Sequence, residues 1–434
     1  MNLVVCLLSI LLVPLAAAGL ALIHQGLGRS RSAAHAMLGT LCALAISAIV
    51  FVLWGSSWAG VAGAPVHSFV AGGVRWDWLG AAPFFARGAG LDAADASGLG
   101  KSLALCLEMF AAGLAAMIPL SAGSDRWRLG PICLSSALLA GFVFPMFVHW
   151  VWGGGWLAQL GAMFGAAGFG SAGFFDAGGA GVVQVVGGLM ALSVAWITGS
   201  RRGKYSDDGM AAAIPGHNIV QVLFGCMLAL VGWIGLDSAS SILFCGAGVE
   251  RIPGVVVNAM LSASGGALAA VMVTRARYRK PDASISANGW IAGLVAGSAA
   301  CGAVTPVAAL DIGLISGVLV TYMIEVFELH LRVDDPGGAI SVHAGAGIWG
   351  LVAVGIFGHF ADGTHGGHML AQLVGIAALL GFMLPVIYVG NLVLNRFSPY
   401  RVDRDGDWQG MDIRELGAGA YPEFVMHADD FVPR

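Results

Sequence analysis

Two segments of this chain hold residues that could handle a proton inside an apolar helix. Asp176-Ala-Gly-Gly-Ala-Gly-Val-Val-Gln184 and Asp335-Pro-Gly-Gly-Ala-Ile-Ser-Val-His343 follow one plan: an acid, a glycine pair, a valine and, eight residues after the acid, a polar side chain. Each runs on into a Gly-rich apolar helical pattern. Imidazole titrates near pH 6.5 and offers two nitrogens, so a histidine can take up and release a proton. Glutamine does not titrate; its amide offers one acceptor and two donors, enough to hold a partner in place but not to relay a proton. Polar side chains at membrane depth are costly and mark pathways. The mismatch between the copies, Gln184 against His343, is the most specific chemical clue in the chain.

The elements that carry them must be apolar helices. The 434 residues are 58% hydrophobic and only 11% charged, with a mean hydropathy of +0.82. Soluble domains carry roughly 25% charged residues, so this composition describes a polytopic membrane protein with little soluble mass. The 66 glycines suit close helix packing in a bilayer. The net charge of -4 comes with no basic stripe for nucleic acid. The seven cysteines lack metal-ligand spacing, and all but the loop-borne Cys245 sit in apolar runs, so neither a metal site nor a disulfide frame is expected. Met1 to Leu22 lacks the basic start of a signal peptide and reads as a first span. The run Asp403-Arg-Asp-Gly-Asp lacks the length and closing Glu of a calcium loop. No cofactor motif or nucleophile constellation points to an enzyme.

A helical span needs about 20 apolar residues. Eleven candidates follow: 3–23, 36–57, 100–120, 131–152, 181–199, 217–237, 254–274, 286–304, 308–331, 340–358 and 368–394. With the N-terminus outside, 17 of the 21 Lys and Arg fall in inner loops and the tail; only Arg75, Arg87, Lys101 and Arg251 lie outside. That bias sets the orientation. The fifth span then descends and the tenth ascends, so the two echoing segments run antiparallel. An inverted repeat of spans 1–5 and 6–10 follows, with the site between the halves, as in many transporters, and span 11 as an extra helix. The expected fold is therefore an all-α polytopic membrane protein: a membrane domain over 1–396 and a cytoplasmic tail over 397–434. The outer loop at about 58–99 carries Trp76, Trp78, Phe84 and Phe85, expected at the membrane interface.

The chain resembles the ammonium transporter family (Amt/Mep/Rh), bacterial Amt branch. The resemblance rests on His149-Trp-Val-Trp-Gly-Gly-Gly155, Asp176-Ala-Gly-Gly-Ala-Gly-Val-Val, Ala213-Ile-Pro-Gly-His-Asn218, Gly232-Trp-Ile-Gly-Leu-Asp-Ser-Ala-Ser240, Asp334-Asp-Pro-Gly-Gly-Ala-Ile-Ser-Val-His343 and Gly410-Met-Asp-Ile-Arg-Glu415, in order along the chain. It implies a homotrimer in the inner membrane, each protomer with its own narrow pore and no cofactor. By resemblance, Trp152 and Ser240 match an outer ammonium-recruitment site, where an aromatic face attracts a cation. Asp176 matches the acid beneath it, and an N-cap is its alternative role. His343 matches one of two pore histidines. A regulator of the PII type at the cytoplasmic face is also implied.

The chain departs from that pattern at the pore. Gln184 stands where the other histidine is expected. Ala111, with Phe110 beside it, stands at the outer gate phenylalanine, and Leu236 at the second. The tail has Leu416 and Ala418 in place of the frequent His and Glu. These changes imply ammonium or ammonia transport with altered proton handling and weakened discrimination against potassium. The alternatives are an ammonium sensor that binds but barely conducts, signalling through a separate partner, and a neutral small-solute channel. His149, His217, His365 and His368 are weaker candidates, the last two in an outer loop.

Overall fold

A computed structural model describes residues 3–91, 96–360 and 365–421. Among them, ten helices are long and apolar enough to cross a membrane. They are α1 (Leu3–Leu27), α2 (Ser30–Ala59), α3 (Gly98–Ala122), α4 (Leu129–Val151), α5 (Ala180–Thr198), α6 (Ile219–Phe244), α7 (Val249–Tyr278), α9 (Pro306–His330), α10 (Ile340–Phe357) and α11 (Gly366–Phe397). Between α7 and α9 lies α8 (Ala283–Ser298), apolar but only 16 residues long. It occupies the candidate span 286–304; the remaining residues form the turn ahead of Thr305, which caps α9.

Local chemistry sets several helix starts. Asn218 caps α6 by accepting from the Gln221 N–H, and Asp282 caps α8 by accepting from Ser284 and Ile285. Side chains such as Leu11, Val220, Met227, Leu268 and Val389 project outward and exposed. A soluble protein would place polar groups there; here they suit lipid.

The loops between helices gather on two faces. On one, the basic loops after α1, α3, α5 and α9 meet. Arg201 forks onto Asp334 through Nε (2.9 Å) and Nη2 (3.0 Å) and reaches Asp125 at 3.2 Å. Arg126, fully buried, donates to the carbonyls of Asp334, Gly199 and Ser124. The tail docks on this same face. Asp412 accepts from the Ala34 and His35 N–H groups at the start of α2, and Glu415 accepts from the Leu129 N–H and Arg128 at the start of α4.

On the opposite face, the long loop after α2 is not irregular. It forms a hairpin, β1 (Val66–Ala71) antiparallel to β2 (Val74–Gly80), turned by Gly72-Gly73. Trp78 packs on Trp150 (4.7 Å between ring centres) and Trp76 on Trp156 (5.4 Å), so these two tryptophans cap α4, while Phe84 and Phe85 stay exposed. His365 and His368, expected in a loop, begin a helix.

A buried His–Gln pair and a stacked Trp–Phe pair

The two echoing segments fold alike. Each acid is followed at the third residue by a glycine in the left-handed region, Gly179 (φ +87°) and Gly338 (φ +72°). Each then enters a widened, π-wound turn, Ala180–Val185 and Ile340–Gly345, that opens α5 and α10. Such turns recur at functional sites. Asp176 accepts from four backbone N–H groups, of Gly179, Ala180, Gly181 and Val182, at 2.8–3.0 Å. Asp335 accepts from the Ile340 N–H at 2.7 Å. Both acids therefore cap their turns.

The eighth residue of each segment meets the other. His343 Nδ1 and Gln184 Oε1 lie 2.7 Å apart, with both side chains buried. An amide oxygen only accepts, so Nδ1 carries the proton and Nε2 keeps its lone pair. The close crossing depends on a glycine four residues after each. A methyl on Gly188 would lie 2.8 Å from Ala344 Cβ, and one on Gly347 would lie 2.6 Å from Val185 Cγ2. Small residues let membrane helices approach this closely. Gln184 Nε2 is buried without a partner.

Beyond this pair, Trp152 sits buried with its indole N–H on the Asp176 carbonyl (2.8 Å). Phe244 stacks flat on it, ring centres 4.5 Å apart and 10° from parallel. One face of the Trp152 indole is thus covered by a second ring. Ser240 donates to the Leu236 carbonyl at 2.7 Å, which leaves its oxygen lone pairs free to accept. Beside it, Asp237 is buried with Oδ1 unpartnered.

Gln184, His343, Trp152, Asp176, Ser240 and Leu236 are all buried. Phe110 does not join them. Its side chain lines an apolar groove with Ala17, Leu41 and Leu44 of α1 and α2, while Ala111 is fully buried in the helix core. Phe244 lies outside the span expected at 217–237, because the helix runs about two turns further, to Phe244. The unbroken apolar run Ile242-Leu243-Phe244 was the available signal. On the other side of the pair, a cavity of about 420 Å³ opens among Leu27, Lys204, Ile219, Asn288, Gly338 and Ser341.

A buried polar pair between two capped apolar helices, set among ten described helices long and apolar enough to cross a membrane, describes a polytopic membrane protein. The profile described as Ammonium Transporter Family matches residues 4–421. The ammonium transporter Amt2 of Archaeoglobus fulgidus is 31% identical over 94% of this chain and 85% of its own length. The ammonium transporter of Bacillus subtilis is 31% identical over 95% and 96%. Among solved structures, one titled Sensor Amt Protein superposes with a TM-score of 0.84 at 27% identity, covering 96% of this chain and 98% of that one. Candida albicans Mep2 shares the fold, with a TM-score of 0.77 at 22% identity over 97% and 90%. The chain belongs to the ammonium transporter family and is a multi-pass membrane protein; its named relatives are transporters, not enzymes.

Proposed function

We propose that this protein carries ammonium across the membrane through a pore in each protomer, with proton handling altered by Gln184. The observation that carries this reading is the buried 2.7 Å contact between His343 and Gln184. His343 accepts a proton from ammonium at its free nitrogen, and Gln184 orients the ring without accepting a proton itself. Trp152 and Ser240 receive the cation outside, over the cap of Asp176. Ala111 and Leu236 leave that side with fewer gate aromatics, and Phe244 supplies the ring that closes it.

The architecture behind this reading is an eleven-helix fold with α8 as the eighth, short span. Spans 1–5 and 6–10 form an inverted repeat, supported by the matched geometry around Asp176 and Asp335. The N-terminus lies outside, and residues 397–434 lie in the cytoplasm of an inner-membrane homotrimer. The face where basic loops and tail meet is then the cytoplasmic one, open to a PII-type regulator.

Ammonium and potassium pulses on a supported membrane, with the purified protein in liposomes, test this. A saturable ammonium current with a measurable potassium current is expected. Strict exclusion of potassium would sink the weakened-selectivity part.

A second reading is a sensor that binds ammonium and barely conducts. It is favoured by the ring stacked over Trp152 and by the likeness to the structure titled Sensor Amt Protein. Saturable ammonium binding without current would select it.

A further inference from the structure

The transport reading leaves one buried acid without a task. Glu108, on α3, is 3% exposed, and its Oε1 has no partner. It lines a cavity of about 50 Å³ between the end of α2, α3 and the loop after β2, together with Ser56, Ala82, Ala86, Arg87 and Lys101. Ser56 Oγ is likewise buried without a partner. Two orphaned oxygens, one of them on an acid, thus share one small cavity. The bases at its rim are exposed. Arg87 lies over the Phe85 ring, 5.8 Å from its centre, and Lys101 stands about two turns before Glu108 on the same helix. No ion pair joins either to Glu108 among the described residues. The loop wall is fixed in an unusual backbone: Phe85 (φ +62°) and Ala86 (φ +52°) are both left-handed. Side chains rarely enter that region, and such strain collects at ligand sites.

We propose that Glu108 and Ser56 form a binding site for a monovalent cation on the hairpin face, separate from Trp152 and Ser240, neither of which lines this cavity. A buried carboxylate is costly unless it is paired. One carboxylate carries one negative charge, so a single positive charge balances it. A calcium ion takes roughly 6–8 oxygens, far more than these two side chains supply. Size narrows the occupant further. A water molecule needs roughly 10–15 Å³ of such space, so 50 Å³ holds one small ion with a water or two and excludes an organic cation. The carboxylate and the serine hydroxyl both accept hydrogen bonds or ligate through oxygen. Ammonium, potassium and sodium all meet that chemistry.

The test is infrared difference spectroscopy on the full-length protein in liposomes, exchanging choline for ammonium, potassium or sodium, with calcium as a control. The expected result is a carboxylate band that shifts saturably with a monovalent ion and is lost in Glu108→Gln. Ser56→Ala keeps the carboxylate and removes one oxygen, so it should raise the half-saturating concentration several-fold even if Glu108→Gln fails to fold; melting temperature checks both variants. The ion that acts at the lowest concentration identifies the occupant. A protonated carboxyl band that no cation moves, a shift that persists in Glu108→Gln, or calcium acting below every monovalent ion overturns the site. An unchanged half-saturation in Ser56→Ala overturns the shared cavity as its basis. The readout needs no current, so a protein that does not conduct ammonium would refute the transport reading and leave this site standing.

Discussion

At the scale of single residues, the site is a set of buried polar atoms whose partners have been reduced to a minimum. His343 has one partner, at Nδ1, and Gln184 leaves its Nε2 unpaired. Replacing Gln184 with Leu would strand the His343 N–H. A buried unsatisfied donor costs about 1–3 kcal/mol, so Gln184→Leu should lower the melting temperature and reduce ammonium current, both readable on one purified sample. Phe244 makes the opposite kind of contribution. Its ring covers Trp152, and a cation over an exposed aromatic face gains roughly 0.5–2 kcal/mol. Phe244→Ala should therefore tighten apparent ammonium affinity several-fold in a concentration series of currents. An unchanged half-saturation would mean that the cation does not meet Trp152.

At the scale of elements, the pair exists because two helices approach unusually closely. Gly188 and Gly347 stand four residues beyond Gln184 and His343 and touch the partner helix. Overpacking a fitted interior costs about 1–3 kcal/mol. Gly188→Ala should push α5 and α10 apart, lengthen the 2.7 Å contact and depress current more than its loss of stability explains. Thermal unfolding alongside transport separates the two effects. Much of this element was readable in the chain itself, because an acid, a glycine pair and a polar residue at fixed spacing specify a capped turn wherever they occur. What was not readable depended on contacts between distant segments. The hairpin had a local signal, Gly72-Gly73 between stretches carrying Val, Phe and Trp. Phe244 had none of comparable strength. A ring at a helix end looks the same whether it packs or works, until the fold sets it against Trp152.

At the scale of the whole molecule, the basic loops and tail form one locked face around Asp334. Burial alone would raise its carboxyl, but Arg126 and the fork of Arg201 outweigh that and hold it down at about 2. An unfolded Asp titrates near 3.9. The stabilisation is thus full above the unfolded value and lost as pH falls toward 2. Asp334→Asn leaves two buried guanidinium groups short of a partner, which costs about 3–5 kcal/mol. The variant should melt well below wild type at neutral pH, with the gap closing in acid. A gap that persists at pH 2 would place the loss elsewhere.

One comparison bears on the whole account: ammonium-pulse current on a supported membrane from liposomes holding wild type or His343→Leu, matched for protein content and folding. A saturable wild-type current that is lost in His343→Leu is expected. A current of equal size in both, or none in wild type while ammonium still binds, would contradict it.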